Sequence, residues 1–568
     1  MSRNTRSNDT SGNTAFDAII VGGGHNGLAA AAYLSQAGRS VLVLEKLEHS
    51  GGAAVSAQAF DGVDARLSRY SYLVSLLPQQ VIDDLGLRIR LARRRYSSYT
   101  PDPHDSRKAL LVDNGDAAAT AASFAAVGAP GAEFQAFTDF YAGCRQLTET
   151  LWPTMTSPLP TRSEARKLAA GAGAEATWDA MIERPIGEAI TRDLTHDLVR
   201  GVVLTDALIG TFARADDEDL QQNICFLYHL VGGGTGDWDV PVGGMGAVSG
   251  ELERAARDAG ATILTSADVT AVRPGGEVSY RHGGTEHTAT AAWVLANVAP
   301  LVLDRLRGLD GPTNTLRNPN HHREGAQVKV NLLLKRLPRL LDQSVSPEAA
   351  FGGTFHINET WSQLDAAYLS AAAGTIPDPL PCEIYCHSLT DPSILSAELQ
   401  AAGAQTLTVF GLHVPDRLIT AQNNDQRRAE LQAAVLKSLN SVLAEPVEEL
   451  LLSGPDGQPC IETKTTLDIE RAVGMPRGNI FHGGLDWPFM EDDAPRDTPA
   501  QRWGVATDDP RILLCGSGAR RGGAVSAIGG HNAAMAVLES TALGYDAPGS
   551  SPVEPSTPAS GPAESGSA

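Results

Sequence analysis

The stretch FDAIIVGGGHNGLAAAAYLSQAGRSVLVLEK, residues 16–46, decides the fold. Ala18, Ile19, Ile20 and Val21 form a short apolar run of the kind that fills a strand buried on both faces. Gly22, Gly24 and Gly27 come next as GxGxxG. In that spacing the first glycine allows a tight turn, the second lets a pyrophosphate approach the backbone, and the third lets a helix pack close to the strand. The Ala-rich run after the glycines predicts a helix from about Asn26 to Ala37, with Gly38 in the left-handed position beyond its end. A second strand, Val41 to Leu44, ends in Glu45, 18 residues beyond Gly27. A carboxylate there accepts hydrogen bonds from ribose hydroxyls and repels a 2′-phosphate, which argues against NADP. Strand, glycine loop, helix, strand and terminal acid, in this order, predict an α/β fold with a Rossmann-type nucleotide-binding domain.

Two further features point to FAD. Directly after Glu45 and Lys46, the segment LEHSGGAAVS carries Gly51 and Gly52, a second glycine pair of the kind that succeeds the dinucleotide motif in many FAD enzymes; it also reads as a plain loop. Far along the chain, Arg511 to Cys515 reads as a strand and GSGARRGGAVSAIGGHNAAMAVLES as a glycine loop opening into a helix that ends near Leu543. Gly516, Gly518 and Gly522 imitate a second dinucleotide motif, but too few residues remain for another βαβ unit with its acid. The expectation is a returning strand and helix that complete the first domain, the positive helix N-terminus near Gly523, Ala524 and Val525 facing a flavin pyrimidine ring. A helix merely capped by glycines is the plainer alternative. Between these ends, a helix at about Ala247 to Asp258, a strand at Ala261 to Leu264 and three short antiparallel strands are expected. Val269 starts the first of those three and can meet adenine through its backbone, and Asn297 returns the chain to the nucleotide. The candidate cofactor residues are Gly22, Gly24, Asn26, Gly27, Glu45, Lys46, Gly51, Gly52, Ala53, Val269, Asn297, Gly516, Ser517, Gly523, Ala524 and Val525.

Composition bounds the rest. With 568 residues, 42% hydrophobic and 20% charged, the chain is that of a large folded protein. Its 45 Lys and Arg against 67 Asp and Glu leave a formal charge of −22, which makes nucleic acid an unsuitable partner. Six cysteines are too few for a disulfide framework and suggest a reducing, cytoplasmic compartment. The closest pair, Cys382 and Cys386, has neither redox nor zinc spacing. No apolar run reaches the roughly 18 residues that would span a bilayer, and no export signal is visible. Residues 1–15 read as a disordered lead-in and 544–568 as a disordered Pro/Ser/Gly/Ala tail. The expected division is 16–89, 239–299 and 505–543 for a discontinuous FAD-binding domain, with 90–238 and 300–504 forming a mixed α+β substrate domain. Residues 90–238 look Ala-rich with helical spacing; 300–504 mixes strands such as VKVNLLL and TLTVFGLHV with a helix around Gln426 to Leu443.

The segments VGGGHNGLAAAAYL, GGAAVS, SRYSYLVSLLP, GGMGAVS, VKVNLLL, FGGTFHINET, GNIFHGGLDW and LCGSGARRGGAVSAIGGHNAA, spread from about residue 16 to 540, resemble the phytoene-desaturase-like FAD oxidoreductases. The branch called pyridine nucleotide-disulfide oxidoreductase domain-containing protein 2 is the most similar. The resemblance implies FAD in an extended groove, its flavin facing a substrate domain, and two-electron dehydrogenation of a hydrophobic small molecule. It also implies a mitochondrial-matrix location should the source be eukaryotic. The chain departs from relatives in having Ala53 and Ala54 after the second glycine pair, where amine-oxidase and carotenoid branches often carry Arg, and Ser68 to Tyr72 in place of an Ala-Gly-Pro loop.

The expected chemistry is hydride removal from an activated C–H by the flavin, with no metal. Candidate catalytic or positioning residues are Arg69, Tyr72, His482 and His531. Each also has a structural reading: salt-bridge partner, core, turn histidine and helix-facing hydrogen-bonder respectively. His229 and the pair His321–His322 lack a nearby ligand in sequence and suggest no metal, and Trp238 and Trp487 read as packing. A regulatory or scaffolding protein that binds FAD without turnover is the alternative from another class; NAD without flavin leaves GSGARRGGAVS unexplained. Peripheral membrane contact is suggested only by the apolar substrate the resemblance implies, and the negative charge opposes it on anionic lipid.

Overall fold

The apolar run before the glycines forms β1 (Thr14–Val21), succeeded by α1 (His25–Gln36) and β2 (Val41–Leu44). The chain then makes a hairpin, β3 (Tyr96–Asp102) and β4 (Asp105–Asp113), and a helical stretch that includes α2 (Glu133–Leu151), α3 (Asp197–Thr205) and α4 (Gln221–Leu230). Helix α5 (Met245–Asp258) leads into β5 (Thr262–Leu264), β6 (Asp268–Arg273), β7 (Glu277–His282) and the long β8 (Thr285–Ala296). Next come β9 (Val328–Leu334), β10 (Thr354–Ile357), β11 (Cys382–Tyr385), β12 (Gln405–Gly411), β13 (Ile461–Lys464) and α6 (Thr466–Val473). Strand β14 (Ile512–Leu514) and helix α7 (Ile528–Ala542) end the described fold. This computed structural model describes residues 14–309 and 319–544. The expected N-terminal lead-in, up to residue 13, and the tail from 545 lie outside the described residues.

The first sheet runs β6-β7-β8-β1-β2-β5, with β14 also on β8. Its centre is parallel: Ile20 faces Leu295 on one side and Val43 on the other, and Ile512 faces Val294. Strand β8 serves two partners because it is 12 residues long; its first half pairs antiparallel with β7 and its second half lies parallel between β1 and β14. Ile20 and Leu295 pack with α1, α5 and α7 on one face, while Ile19, Val21, Leu42 and Leu44 pack with Val272 and Val278 of the β6–β7 ribbon on the other. Burial on both faces explains why β1 and β2 read as continuous apolar runs rather than alternating ones. This is a Rossmann-type architecture.

The second sheet, β13-β9-β12-β11-β10-β3-β4, carries the remaining core. Every residue of β9 is buried, so VKVNLLL is a central strand, and Lys329 and Asn331 are polar side chains inside it. The structure differs from the sequence reading in two places. Residues 96–113 form the β3–β4 hairpin although 90–238 looked mostly helical; β3 is short of apolar residues, pairs with the adjacent β4 and is joined to the sheet by β10, which is distant in sequence. The last helix begins at Ile528 rather than near Gly523–Val525, because Ala524 (φ 61°) and Ala527 (φ 60°) are left-handed, a conformation a right-handed helix excludes. Among the described residues no helix is long and apolar enough to cross a membrane.

Candidate functional site

The glycines of the first loop are fixed by how closely the chain crosses itself. Gly22 has φ 99°, and a Cβ on Gly27 would lie 2.4 Å from the Gly22 carbonyl oxygen and 2.7 Å from Asn297 Nδ2. Asn297 closes this loop from β8 by donating its amide to the Gly22 carbonyl at 2.9 Å. The second glycine pair docks on the first: Gly51 N donates to Gly23 O at 2.8 Å, and Gly52, φ 58°, leaves only 3.2 Å between its virtual Cβ and Gly24 Cα. Gly51 and Gly52 are therefore packed against the first glycine loop. Glu45 is buried, accepting from Gly23 N at 2.7 Å and Leu47 N at 2.8 Å. Helix α1 starts at Gly24 with no side-chain cap, so its first N–H groups are left for a ligand.

The C-terminal loop lies against the same place. A Cβ on Gly516 would approach Asn297 Oδ1 to 3.2 Å, and one on Gly522 would meet Gly516 O at 2.4 Å. His25, the residue after Gly24, contacts the Ala524 carbonyl at 3.1 Å through Nε2, joining the two ends of the chain. Arg521 is buried and donates to the carbonyls of Thr154, Ser157 and Trp503, which clamps this loop to the helical region.

A cavity of about 480 Å³ opens above these loops. Its nucleotide end is lined by Gly22, Gly24, Glu45, Lys46, Gly52 and Ala53, with Val269, Asn297 and Ser517 beside them. Gly523, Ala524 and Val525 lie further along, with His25 and His482. Its far end is apolar and aromatic: Tyr72, Trp238, Tyr228, Phe410 and Phe481. Tyr72 stacks on Trp238 with centroids 5.9 Å apart and tilts against Tyr385 and Phe410 at 4.8 and 5.0 Å. Trp238 therefore forms part of the cavity wall, whereas Trp487 stacks on Phe489 in the core. Gly27, Gly51 and Gly516 shape the wall from behind. Asn26 is wholly buried where α1 meets α7, and neither of its amide atoms has a hydrogen-bond partner; it does not reach the cavity. Gly530 of α7 sets that crossing, since a Cβ there would lie 1.9 Å from Asn26 O.

The four catalytic candidates divide. Tyr72 and His482 are on the wall. Burial lowers His482 to about 4, and its Nδ1 has no hydrogen-bond partner. Arg69 is not on the wall. Its Nε donates to both carboxylate oxygens of Glu462, at 2.9 and 3.1 Å, and this hydrogen bonding pushes the guanidinium further up. His531 is also absent from the cavity, buried on α7 between the edges of Tyr33 and Trp503 at 5.1 and 5.9 Å, with Nδ1 on Asn532 Oδ1 at 2.9 Å. The salt-bridge reading of Arg69 and the hydrogen-bonding reading of His531 are the ones these contacts match; sequence left them open because it does not show which way a side chain turns.

Residues that sequence reading set aside or missed lie at the far end or directly behind its wall. His229, on α4, lines the cavity, and its Nε2 lies 3.3 Å from Asp206 Oδ1, so it has the carboxylate neighbour that its sequence context lacks. Burial pushes His229 down to about 3 and Asp206 up to about 7. Lys329 of β9 is buried, donates to the carbonyls of Ser68 and Ser71 at 3.1 and 3.2 Å, and is lowered by burial to about 7. A lysine inside an otherwise apolar strand was the one signal that could have found it. All six cysteines are buried and unpaired. Cys225 lines the cavity as a thiol, pushed up by burial to about 12.

The profile of the NAD(P)-binding Rossmann-like domain family matches residues 20–80. Over 529 residues, 92% of this chain and 97% of its counterpart, the sequence is 58% identical to the protein Rv0897c of Mycobacterium tuberculosis. The chain belongs to that protein's family. It is also 27% identical to the rat pyridine nucleotide-disulfide oxidoreductase domain-containing protein 2, over 92% of this chain and 93% of that one. Among solved structures, a putrescine oxidase variant redesigned in its cofactor binding superposes with a TM-score of 0.53 at 17% identity, covering 93% of this chain and 99% of that one. The fold is thus the Rossmann-type fold that this putrescine oxidase shares.

Proposed function

We propose that this protein is an FAD-dependent oxidoreductase that removes two electrons and a hydrogen from a hydrophobic small molecule. One observation carries the reading: a single cavity runs from the dinucleotide glycines, past the C-terminal glycine loop, to an aromatic end wall. In this reading Glu45 holds the ribose, the uncapped start of α1 and the Gly22–Gly27 loop hold the pyrophosphate, and Val269 meets the adenine. Gly523, Ala524 and Val525 face the flavin. The bound FAD supplies the hydride acceptor. The chain supplies the rest: Tyr72, Trp238 and Phe410 exclude water and orient an apolar donor, and His25 and His482, held neutral by burial, add no charge near the cofactor. Residues 16–89, 239–299 and 505–543 then act as the FAD-binding domain, and 90–238 with 300–504 as the substrate domain. The −22 charge and the six unpaired thiols fit a reducing compartment and a small-molecule partner.

The test is the visible absorption spectrum of freshly purified protein, then heat release and identification of the molecule that comes off. A flavin spectrum with FAD released, bleached on mixing with hydrophobic amines or allylic alcohols, is the expected result. A colourless protein that takes up no added FAD would overturn the cofactor assignment. A flavin that no donor bleaches would favour a binding or scaffolding role instead.

A further inference from the structure

Behind the aromatic end wall lies a group of ionisable side chains that hydride transfer alone does not explain. Asp206 comes directly after the last residue of α3 and faces three neighbours: His229 Nε2 at 3.3 Å from α4, the Tyr141 hydroxyl at 3.4 Å from α2, and His356 of β10 within electrostatic reach. Next to it, Glu383 of β11 accepts from the Thr205 hydroxyl at 3.1 Å and the Tyr385 hydroxyl at 2.7 Å. His356 Nδ1 contacts Glu359 Oε2 at 2.6 Å, and the other oxygen of Glu359 has no hydrogen-bond partner. Arg94 lies near this group but donates to the Trp238 carbonyl and the Thr354 hydroxyl. Among the described residues no lysine or arginine lies within 4.0 Å of Asp206, Glu359 or Glu383, so the side chains that face these carboxyls as possible cations are the histidines His229 and His356. Of these groups only His229 lines the cavity, with Asp206 directly behind it. The His229 side chain keeps 16% of its surface exposed, and its ring lies 4.8 Å from that of Trp238.

We propose that His229, backed by Asp206, takes up the proton released when the substrate is oxidised, which makes the His229–Asp206 pair the catalytic base of this site. The inference rests on the oxidoreductase reading above. Removing two hydrogens from a donor yields one hydride, which leaves with both electrons to FAD, and one proton. With Nε2 turned to Asp206, Nδ1 of His229 accepts that proton. The Nε2 proton then passes to the Asp206 carboxylate, so His229 ends neutral, Asp206 ends as the neutral acid, and the oxidised product leaves. Burial favours this final distribution, because it opposes a lasting imidazolium and raises Asp206 toward neutrality. His229 is a catalytic residue in this scheme. Asp206 is a positioning residue and the final proton holder.

Two measurements on full-length, FAD-loaded protein test this. In infrared spectra taken against pH in H2O and D2O, the protonated-carboxyl intensity that grows in as pH falls through about 7 is expected to be lost in Asp206→Asn, leaving the bands of the buried carboxyls Glu383 and Glu359, and to move in His229→Gln. In stopped flow, His229→Gln is expected to slow flavin bleaching by about 10²- to 10⁴-fold with any amine or allylic alcohol that bleaches the wild type. Bleaching by sodium borohydride, which needs no base, should stay unchanged. The wild-type rate should rise with pH through about 7, and Asp206→Asn should flatten that rise. The same carbonyl step near pH 7 in Asp206→Asn as in the wild type, no such step in the wild type, or a His229→Gln variant that bleaches at the wild-type rate would overturn the proposal. So would one equivalent of a divalent metal that is lost in Glu359→Gln, since the buried group would then be settled by a cation. If no donor bleaches the wild type, the oxidoreductase reading fails, while the infrared result still decides whether the pair holds the proton.

Discussion

Single atoms decide the nucleotide end. A Cβ at residue 27 meets backbone oxygen at 2.4 Å, and backbone cannot yield as a flexible side chain can. Gly27→Ala is expected to abolish retention of FAD through purification, read as loss of visible absorbance per mole of protein. Gly250→Ala provides the contrast: Gly250 sits on α5 with nothing within 4 Å of the virtual Cβ, so it should keep full flavin content and gain about 0.5–1 kcal/mol of stability from helix propensity. These glycines were legible in sequence because GxGxxG encodes a backbone requirement that no other residue type meets. The same kind of reading left a catalytic and a structural role open for Arg69 and His531. Whether a polar side chain faces a cavity or a salt-bridge partner depends on the strand or helix laid beside it, here Glu462 on β13 and the rings of Tyr33 and Trp503.

At the scale of elements, Arg69 ties the short strand Arg66–Ser68 and the loop after it to β13 through Glu462, 393 residues away in sequence. Arg69→Met would leave Glu462 partly buried without its bidentate partner, though Lys464 remains at 3.4 Å. The expected cost is about 1–3 kcal/mol in chemical denaturation, with flavin content unchanged. An Arg69→Met variant that folds stably but loses flavin would instead return Arg69 to the cofactor site. Periodicity located β1, α1, β2, α5 and β14 because each carries an apolar or glycine-bounded pattern of its own. The β3–β4 hairpin was not visible in this way. It is joined to the sheet by β10, more than two hundred residues on, and neither of its strands has a strong pattern of its own.

For the whole molecule, buried histidines set the response to acid. Burial lowers His25, His413 and His482 to about 4, and His229 and His387 to about 3. Each is neutral in both folded and unfolded chains above the ordinary value of 6.5, so none costs stability there. As pH falls below 6.5 the unfolded chain takes up protons that the native one refuses, and stability declines until the folded values near 4 and 3 are passed. Asp206 and Glu383, raised by burial to about 7 and about 8, act in the opposite sense, binding protons in the native state first. The five histidines outnumber these two carboxyls and Glu359, which burial also raises, so Tm is expected to fall from pH 6.5 to 4. His413 lies between Phe212 and Tyr368, away from the cavity, and isolates the effect. His413→Gln should reduce the slope of stability against pH in that window by one proton, about 1.4 kcal/mol per pH unit. An unchanged slope would remove His413 from the account.

The sequence by itself determined the Rossmann unit and the place of both glycine loops. Those features are local: a strand, a turn and a helix start are written in consecutive residues, and the turn tolerates only glycine. Only the tertiary structure decided which side chains form the far end of the cavity. His229 and Asp206 come from different helices, and Tyr72 and Phe410 from a loop and a distant strand. Lys329 reaches back across the sheet to Ser68 and Ser71. Their chemistry arises from being buried together, and burial depends on long-range packing that no short stretch of sequence contains.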